Sequence, residues 1–427
     1  MSAALGRRLA ALGTMLVSSF AQSAEVGVQI GGIALEFFLF AVILAGIAAF
    51  HRQALRIAVG GLALVVLYKL VATGFGPGPG VVGLLAHLHH EWVTLTNLFG
   101  LITGFALLAN HFYQSRVPEL LPRYLPDDWK GGFVLLILVF VLSSFLDNIA
   151  AALIGGAMAS AVFRAKLHVG YLAGIVAASN AGGSGSVVGD TTTTMMWIDG
   201  VPPQDVLHAY VAAIAALLVF GIPAAIQQQR FAPIVKDAPE HVRVDFARLT
   251  VVGMVLVGAI STNVLVNSQW PEHAGAFPWL GAAVWMVLLL AASLRRPDFS
   301  LFPEAARSSV FLLSLVLTAS LMPVHQLPQP SWGSTLALGF VSAVFDNIPL
   351  TAMALQQGGY DWGMLAYAVG FGGSMTWFGS SAGVALCGVF PQGRSVAAWL
   401  RGGWHVAVAY PVGFAVLLFL LGWHPPD

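Results

Sequence analysis

One run of apolar residues, bounded by Lys130 on one side and by Arg164 and Lys166 on the other, carries a carboxylate at its middle, in Ser143-Ser144-Phe145-Leu146-Asp147-Asn148. As a single helix the run would be ~50 Å long, against a hydrocarbon core of about 30 Å. Split at Asp147-Asn148, each limb is only ~22–24 Å, too short to cross. With basic residues at both ends, the run predicts a helical hairpin over 131–163 that enters and leaves a membrane on the same side, with Asp147-Asn148 at its buried tip. A carboxylate at the bilayer centre costs at least a few kcal/mol, which points to a working role. The pattern returns in the second half as Ser342-Ala343-Val344-Phe345-Asp346-Asn347, inside the apolar run 333–355.

Composition fits a membrane-embedded chain: 58% of the 427 residues are hydrophobic and only 9% are charged. Zero net charge, with no basic face, argues against a nucleic-acid partner. The single cysteine, Cys387, excludes a disulfide framework and reads as packing. Residues 1–24 read as a signal peptide: Arg7 and Arg8, an apolar core from Leu9 to Phe20, then Ala21-Gln22-Ser23-Ala24.

Spans are expected at 28–50, 55–73, 92–111, 206–226, 248–266, 277–294, 308–325 and 398–422. With Glu25 outside, 16 of the 19 basic residues fall in or beside cytoplasmic loops, the exceptions being Arg7, Arg8 and Lys69. That distribution obeys the positive-inside rule and opens the two hairpins to opposite sides. Each hairpin precedes a helix interrupted by glycine. The first, 167–197, contains Ser179-Asn180-Ala181-Gly182-Gly183-Ser184-Gly185-Ser186-Val187-Val188-Gly189-Asp190. The second, 363–391, contains Gly370-Phe371-Gly372-Gly373-Ser374-Met375-Thr376-Trp377-Phe378-Gly379-Ser380-Ser381-Ala382-Gly383. Irregular backbone at that depth is tolerated only where it is buried in protein or lines a cavity. The expected fold is an all-α polytopic membrane protein built of two inverted repeats, 25–247 and 248–427, each with a re-entrant hairpin and a broken helix. This is the layout of a secondary transporter.

The chemistry on offer suits a hard monovalent cation. The tips supply Asp147, Asn148, Asp346 and Asn347, and the hairpins add Ser143 and Ser342. The broken helices add Asn180, Asp190, Thr191, Ser374 and Thr376, with backbone at Gly182, Gly183, Gly372, Gly373 and Gly379. Na+ binds several oxygens of this kind, and glycine lets carbonyls approach it. A low dielectric favours the neutral form of a carboxyl group, so one such group can hold either a proton or Na+. Asp147 and Asp346 are expected to face one another across a pseudo-twofold.

Plainer readings compete with these. Aspartate is a good N-cap, and glycine pairs usually mark close helix packing. Asp190 has no carboxylate counterpart, since Ser380 takes the matching place. His87, His89, His90 and Glu91 could form a metal site or pH sensor, but interfacial decoration is the commoner meaning. Glu36 stays open, and tryptophans near span ends read as interface anchors.

The segments Leu146-Asp147-Asn148, Ser179-Asn180-Ala181-Gly182-Gly183 and Gly189-Asp190-Thr191-Thr192-Thr193-Thr194-Met195-Met196-Trp197 resemble NhaD-type sodium/proton antiporters. So do Phe345-Asp346-Asn347-Ile348-Pro349, Gly372-Gly373-Ser374 and Gly379-Ser380-Ser381-Ala382-Gly383-Val384-Ala385. The resemblance covers roughly 28–422; the stretch Gly185-Ser186-Val187-Val188 departs from it, being less bulky than in the family. It implies Na+ (or Li+)/H+ exchange without a cofactor, in a bacterial-type inner membrane, by a homodimer with scaffold and mobile transport regions moving elevator-fashion. The wider superfamily also holds citrate and dicarboxylate carriers, so an organic-anion transporter is the alternative. In those carriers Ser-Asn-Thr tips bind carboxylates; aspartate at both tips here favours a cation. An intramembrane aspartyl protease would need Gly-x-Gly-Asp, and Val187-Val188-Gly189-Asp190 lacks the first glycine, so no enzyme is expected.

Overall fold

The computed structural model describes residues 28–50, 53–120, 124–234, 243–270, 273 and 275–426, so the expected leader over 1–24 lies outside it. A two-stranded hairpin, β1 (Gln29–Ile30) and β2 (Ile33–Ala34), turns on Gly31 and Gly32, both at positive φ. The first expected span is therefore helical only from Leu35, in α1 (Leu35–Ala49). Next come α2 (Ala54–Tyr68), which widens into a π-helical turn over Lys69–Thr73, and α3 (Gly80–Gln114). At 35 residues α3 is far longer than the expected span 92–111, and it carries His87 to Glu91 as helix.

The first hairpin is α4 (Trp129–Ser143) and α5 (Asn148–Val162), followed by the broken pair α6 (Val169–Ser184) and α7 (Thr191–Ile198). After α8 (Ala209–Phe231), α9 (Phe246–Gln269), α10 (Trp279–Ala291) and α11 (Phe302–Ser320), the pattern recurs. The second hairpin is α12 (Trp332–Ser342) and α13 (Asn347–Gln357), and the second broken pair is α14 (Trp362–Gly372) and α15 (Ser381–Val389). The span expected at 398–422 is interrupted. A short helix, Val396–Gly402, precedes α16 (Trp404–Leu421). Gly403 sits at the corner, where a Cβ would lie 2.7 Å from the Ala173 Cβ.

The helices sort into two groups by their packing. α1, α2, α3, α9, α10 and α11 pack among themselves, and α4 to α8 pack with α12 to α16. Within the first group, α3 and α10 cross at Gly100 and Gly281, where a Cβ on Gly100 would lie 2.9 Å from Gly281 Cα. Asn97 Oδ1 accepts from Gly281 N–H at 3.0 Å, satisfying a donor that the first turn of α10 leaves without a partner. Trp285 Nε1 donates to Gly100 O at 3.0 Å across the same crossing. The groups meet where α11 packs on α13 and α3 on α5 and α7.

Five helices among the described residues are long and apolar enough to cross a bilayer, and large apolar side chains such as Val71, Val82 and Phe419 face outward. The chain is an all-α polytopic membrane protein, its two-residue strands aside. One end of the bundle is tied by Arg295 donating to Asp245 Oδ2 at 2.8 Å and by Gln228 Nε2 donating to Lys166 O at 2.9 Å. Hairpin α4–α5 opens there. The other end is tied by a His87–Ser320 hydrogen bond of 2.9 Å and by Gln356 donating to Ser320 O at 3.0 Å. Hairpin α12–α13 opens at that second end. Among the described residues Lys69 is the one lysine or arginine found there.

Candidate functional site

Both tips have the same local construction. Asp147 caps α5 by accepting from Ile149 N–H at 3.2 Å, and Asp346 caps α13 by accepting from Ile348 N–H at 3.1 Å. Their φ and ψ agree to within a few degrees, at −51° and 141° against −54° and 142°. The ends of the breaks match too. Asp190 caps α7 and Ser380 caps α15, with φ of −143° and −142°.

Each tip is pinned to its own broken helix by hydroxyls at corresponding positions. Ser143 donates to Ser179 O at 2.5 Å, and Ser342 donates to Val369 O at 2.7 Å. In return, Ser186 donates to Ser144 O at 2.6 Å, and Thr376 donates to Ala343 O. The glycines make this contact possible. A Cβ on Gly189 would lie 2.1 Å from Ser143 O, and one on Gly379 would lie 2.6 Å from Ala343 O. Gly182 and Gly183 remain within α6, and the irregular backbone begins only at Gly185. The Gly182 carbonyl accepts from Ser144 Oγ at 3.1 Å. Gly372 closes α14, while Gly373, Ser374 and Met375 form a single 3-10 turn.

At the centre the two repeats interlock. Asn148 Nδ2 donates to Asn180 Oδ1 at 3.2 Å, and Asn180 Nδ2 donates to Ser374 Oγ at 2.9 Å and to Ser380 Oγ at 3.0 Å. The corresponding position in the other half differs. There Asn347 Nδ2 donates to Asp190 Oδ2 at 3.3 Å, and the counterpart of Asn180 is Gly370. A Cβ on Gly370 would lie 3.3 Å from Ser184 Cβ and 3.5 Å from Asp190 Oδ2, so the glycine lets α14 pack close against that carboxylate. One of two quasi-equivalent positions is filled with amide and hydroxyl; the other holds a carboxylate.

Asp190 is buried and shares a cavity of about 10 Å³ with Asp147, Thr191 and Thr194, walled by Leu98, Leu101, Ile102 and Phe105 of α3. That is room for about one water-sized particle. Asp346 lines a different cavity and accepts from Ser381 Oγ at 2.9 Å. The two tip aspartates, expected to face one another, thus line different cavities, and Asp147 shares its own with Asp190. Ser380, Ser381 and Thr194 were not among the expected ligating residues. The internal repeat could have flagged Ser381, which stands where Thr191 does in the first half.

No family model matches the chain. Curated relatives do. The chain is 26% identical over 340 residues to sodium/proton antiporter 1 of Arabidopsis thaliana, covering 70% of this chain and 55% of that protein. It is 28% identical over 310 residues to the Na(+)/H(+) antiporter NhaD of Alkalimonas amylolytica, covering 61% of this chain and 62% of the relative. With NhaD of Vibrio parahaemolyticus the identity is 26% over 309 residues, 61% of this chain and 72% of that one. Over this part the chain is similar to proteins named as NhaD-type antiporters. The matched part spans little more than half the length of the Arabidopsis protein.

The chain also holds a polar vestibule at the end opposite the basic loops. A cavity of about 490 Å³ is lined by Lys69, His87, His90, Glu91, Asp199 and His325. Among the described residues no group of three or more His, Cys, Asp or Glu side chains is arranged to hold a metal. In the loop beyond α7, burial in the vestibule pushes the Asp199 carboxyl up to about 6, with a smaller contribution from Glu91 that His90 opposes. Its folded-state value lies above the unfolded one, so its contribution to stability is present in acid and is lost as pH rises through about 6. Asp199→Asn is therefore expected to raise the thermal denaturation midpoint at pH 8 and leave it unchanged at pH 4. An equal shift at both values would contradict this.

Proposed function

We propose that this chain exchanges Na+ or Li+ for H+ across a bacterial-type plasma membrane by alternating access. The observation that carries the reading is the pairing of Asp147 with Asp190 in a cavity of single-ion size, where Asn347 holds one Asp190 oxygen. Two carboxylates on one such cavity disfavour double ionisation unless a cation joins them. Na+ entry then expels a proton, and Na+ departure readmits one. Competition for one site is enough to couple the two fluxes.

The residues divide the work. Asp147 and Asp190 are the shared Na+/H+ ligands, with Thr191 and Thr194 on the same cavity wall. Asn148, Asn180, Ser374 and Ser380 form a neutral strut that holds the two broken helices together. Ser143, Ser342, Ser186 and Thr376 fix the tips. The second helix group moves against α3 and α11 as a unit, carrying the site between the two sides. In this reading the halves 25–247 and 248–427 are the inverted repeats and the first helix group is the scaffold. An organic anion suits the site poorly, since a cavity of one-water size lined by carboxylates offers neither room nor attraction to citrate.

Inverted membrane vesicles test the proposal. Added Na+ should collapse a preformed pH gradient, Asp147→Asn should reduce that response more than ~tenfold, equivalent to ~1.4 kcal/mol or more of lost ion binding, and labelled citrate should not accumulate. Citrate uptake without Na+-driven collapse, or full exchange in both Asp147→Asn and Asp346→Asn, would overturn the reading.

A further inference from the structure

The cavity that Asp346 lines is a different object from the ion-sized one. It measures about 440 Å³ and lies between the two helix groups. One wall comes from α1 and α11, and the other from α5, the second tip and α15. Its lining is mostly aliphatic and aromatic, including Phe311, Phe345 and Phe378. Its charged groups are two carboxylates, Asp346 and Glu304, with no lysine, arginine or histidine among the described lining residues. Ser381 donates to Asp346 Oδ2 at 2.9 Å, which orients one carboxylate oxygen. Glu304 is exposed in the first turn of α11, at the basic end of the bundle.

We propose that this cavity binds an amphiphilic organic cation, an ammonium group on a compact aromatic body. The volume falls in the range of small-molecule sites, which are largely apolar with a few convergent polar groups. The charge complement selects the sign: a neutral or anionic ligand would bring no counter-charge to the two carboxylates on the lining, whereas an ammonium pairs with one and is drawn in by the other. Phenylalanine rings also tolerate a cation within reach of their faces. Because the walls belong to both groups, an occupant bridges surfaces that slide past one another in the proposed cycle. It binds as a wedge and blocks exchange without being carried. The binding stands on this geometry alone; only the blocking of exchange rests on the Na+/H+ reading.

The test uses the full chain in lipid nanodiscs, with 2-naphthylmethylammonium as probe and 2-naphthylmethanol as neutral control. The ammonium is expected to raise the thermal denaturation midpoint saturably, and the alcohol to leave it unmoved. Asp346→Asn should weaken the ammonium about tenfold or more, and Glu304→Gln about threefold, since its charge is solvent-screened. In vesicles Glu304→Gln should exchange normally and need about threefold more probe for half-inhibition. Equal stabilisation by alcohol and ammonium would mean that the cavity takes any apolar filling, a lipid chain included, and would overturn the proposal. So would the absence of saturable stabilisation, or indifference of the affinity to both carboxylate variants. If Asp346→Asn does not fold, Glu304→Gln decides. Stabilisation in a chain that shows no exchange would keep the site and remove the antiport reading instead.

Discussion

Asp190→Asn is expected to reduce Na+-driven proton movement by about a hundredfold, the equivalent of ~3 kcal/mol of ion binding, while leaving the protein folded. Asparagine caps a helix as well as aspartate does, so the bond from Thr192 N–H persists and α7 keeps its start. What goes is the carboxylate that shares a cavity with Asp147 and that, in the proposed cycle, holds the exchanged proton. Ser380→Ala is the informative partner, because Ser380 occupies the corresponding place in the other half with nearly the same backbone angles. Its loss removes the cap of α15 and one bond from Asn180, which should cost about 0.5–2 kcal/mol of stability. It should leave the affinity for Na+ intact. Vesicle assays of the two variants side by side, with thermal unfolding of each, check the contrast. Comparable losses of exchange in both would show that the broken symmetry has no bearing on the ion.

Gly182→Ala and Gly372→Ala are expected to prevent normal folding. A Cβ on Gly182 would lie 2.0 Å from Phe140 O, and one on Gly372 would lie 2.3 Å from Gly339 O. The obstacle is backbone on both sides, so no rotamer change relieves it. The cost should exceed about 3 kcal/mol, at the upper end of overpacking effects, because each hairpin would have to lift off its partner helix. Gly60 and Gly253 supply the comparison, since a Cβ on either meets nothing within 4 Å. Alanine there should be neutral or stabilising by up to about 1 kcal/mol through helix propensity. Heating each variant and following monodisperse protein on a sizing column reads the difference. Survival of Gly182→Ala at the parental midpoint would show that α4 and α6 do not pack this closely.

The hairpins were readable in the sequence because length and charge leave little choice: limbs of 15 residues in the first and 11 in the second cannot span, and the tip aspartates interrupt the apolar runs where they must. The glycine-rich breaks were readable for similar reasons, though their edges were not. Gly182-Gly183 looked like broken backbone, yet the pair stays helical because its missing side chains serve contact with α4 rather than a bend. The grouping of the aspartates was hidden as well. Spacing along the chain says that Asp147 and Asp346 are equivalent, but only packing decides which cavity each enters, and α3 walls one while α11 walls the other. The corner at Gly403 and the early start of α3 depend on neighbours distant in the chain, so hydropathy could not locate them.

The four hydroxyl pins on the tips have a kinetic consequence. In the exchange cycle proposed above, with each loop bolted to the rod behind it, no small flap is free to swing open over the ion, so passage would relocate the whole cargo-bearing block through surrounding fat. Turnover would then be set by how readily that fat deforms, and stiffer or thicker membranes should slow this protein even with ion concentrations held fixed.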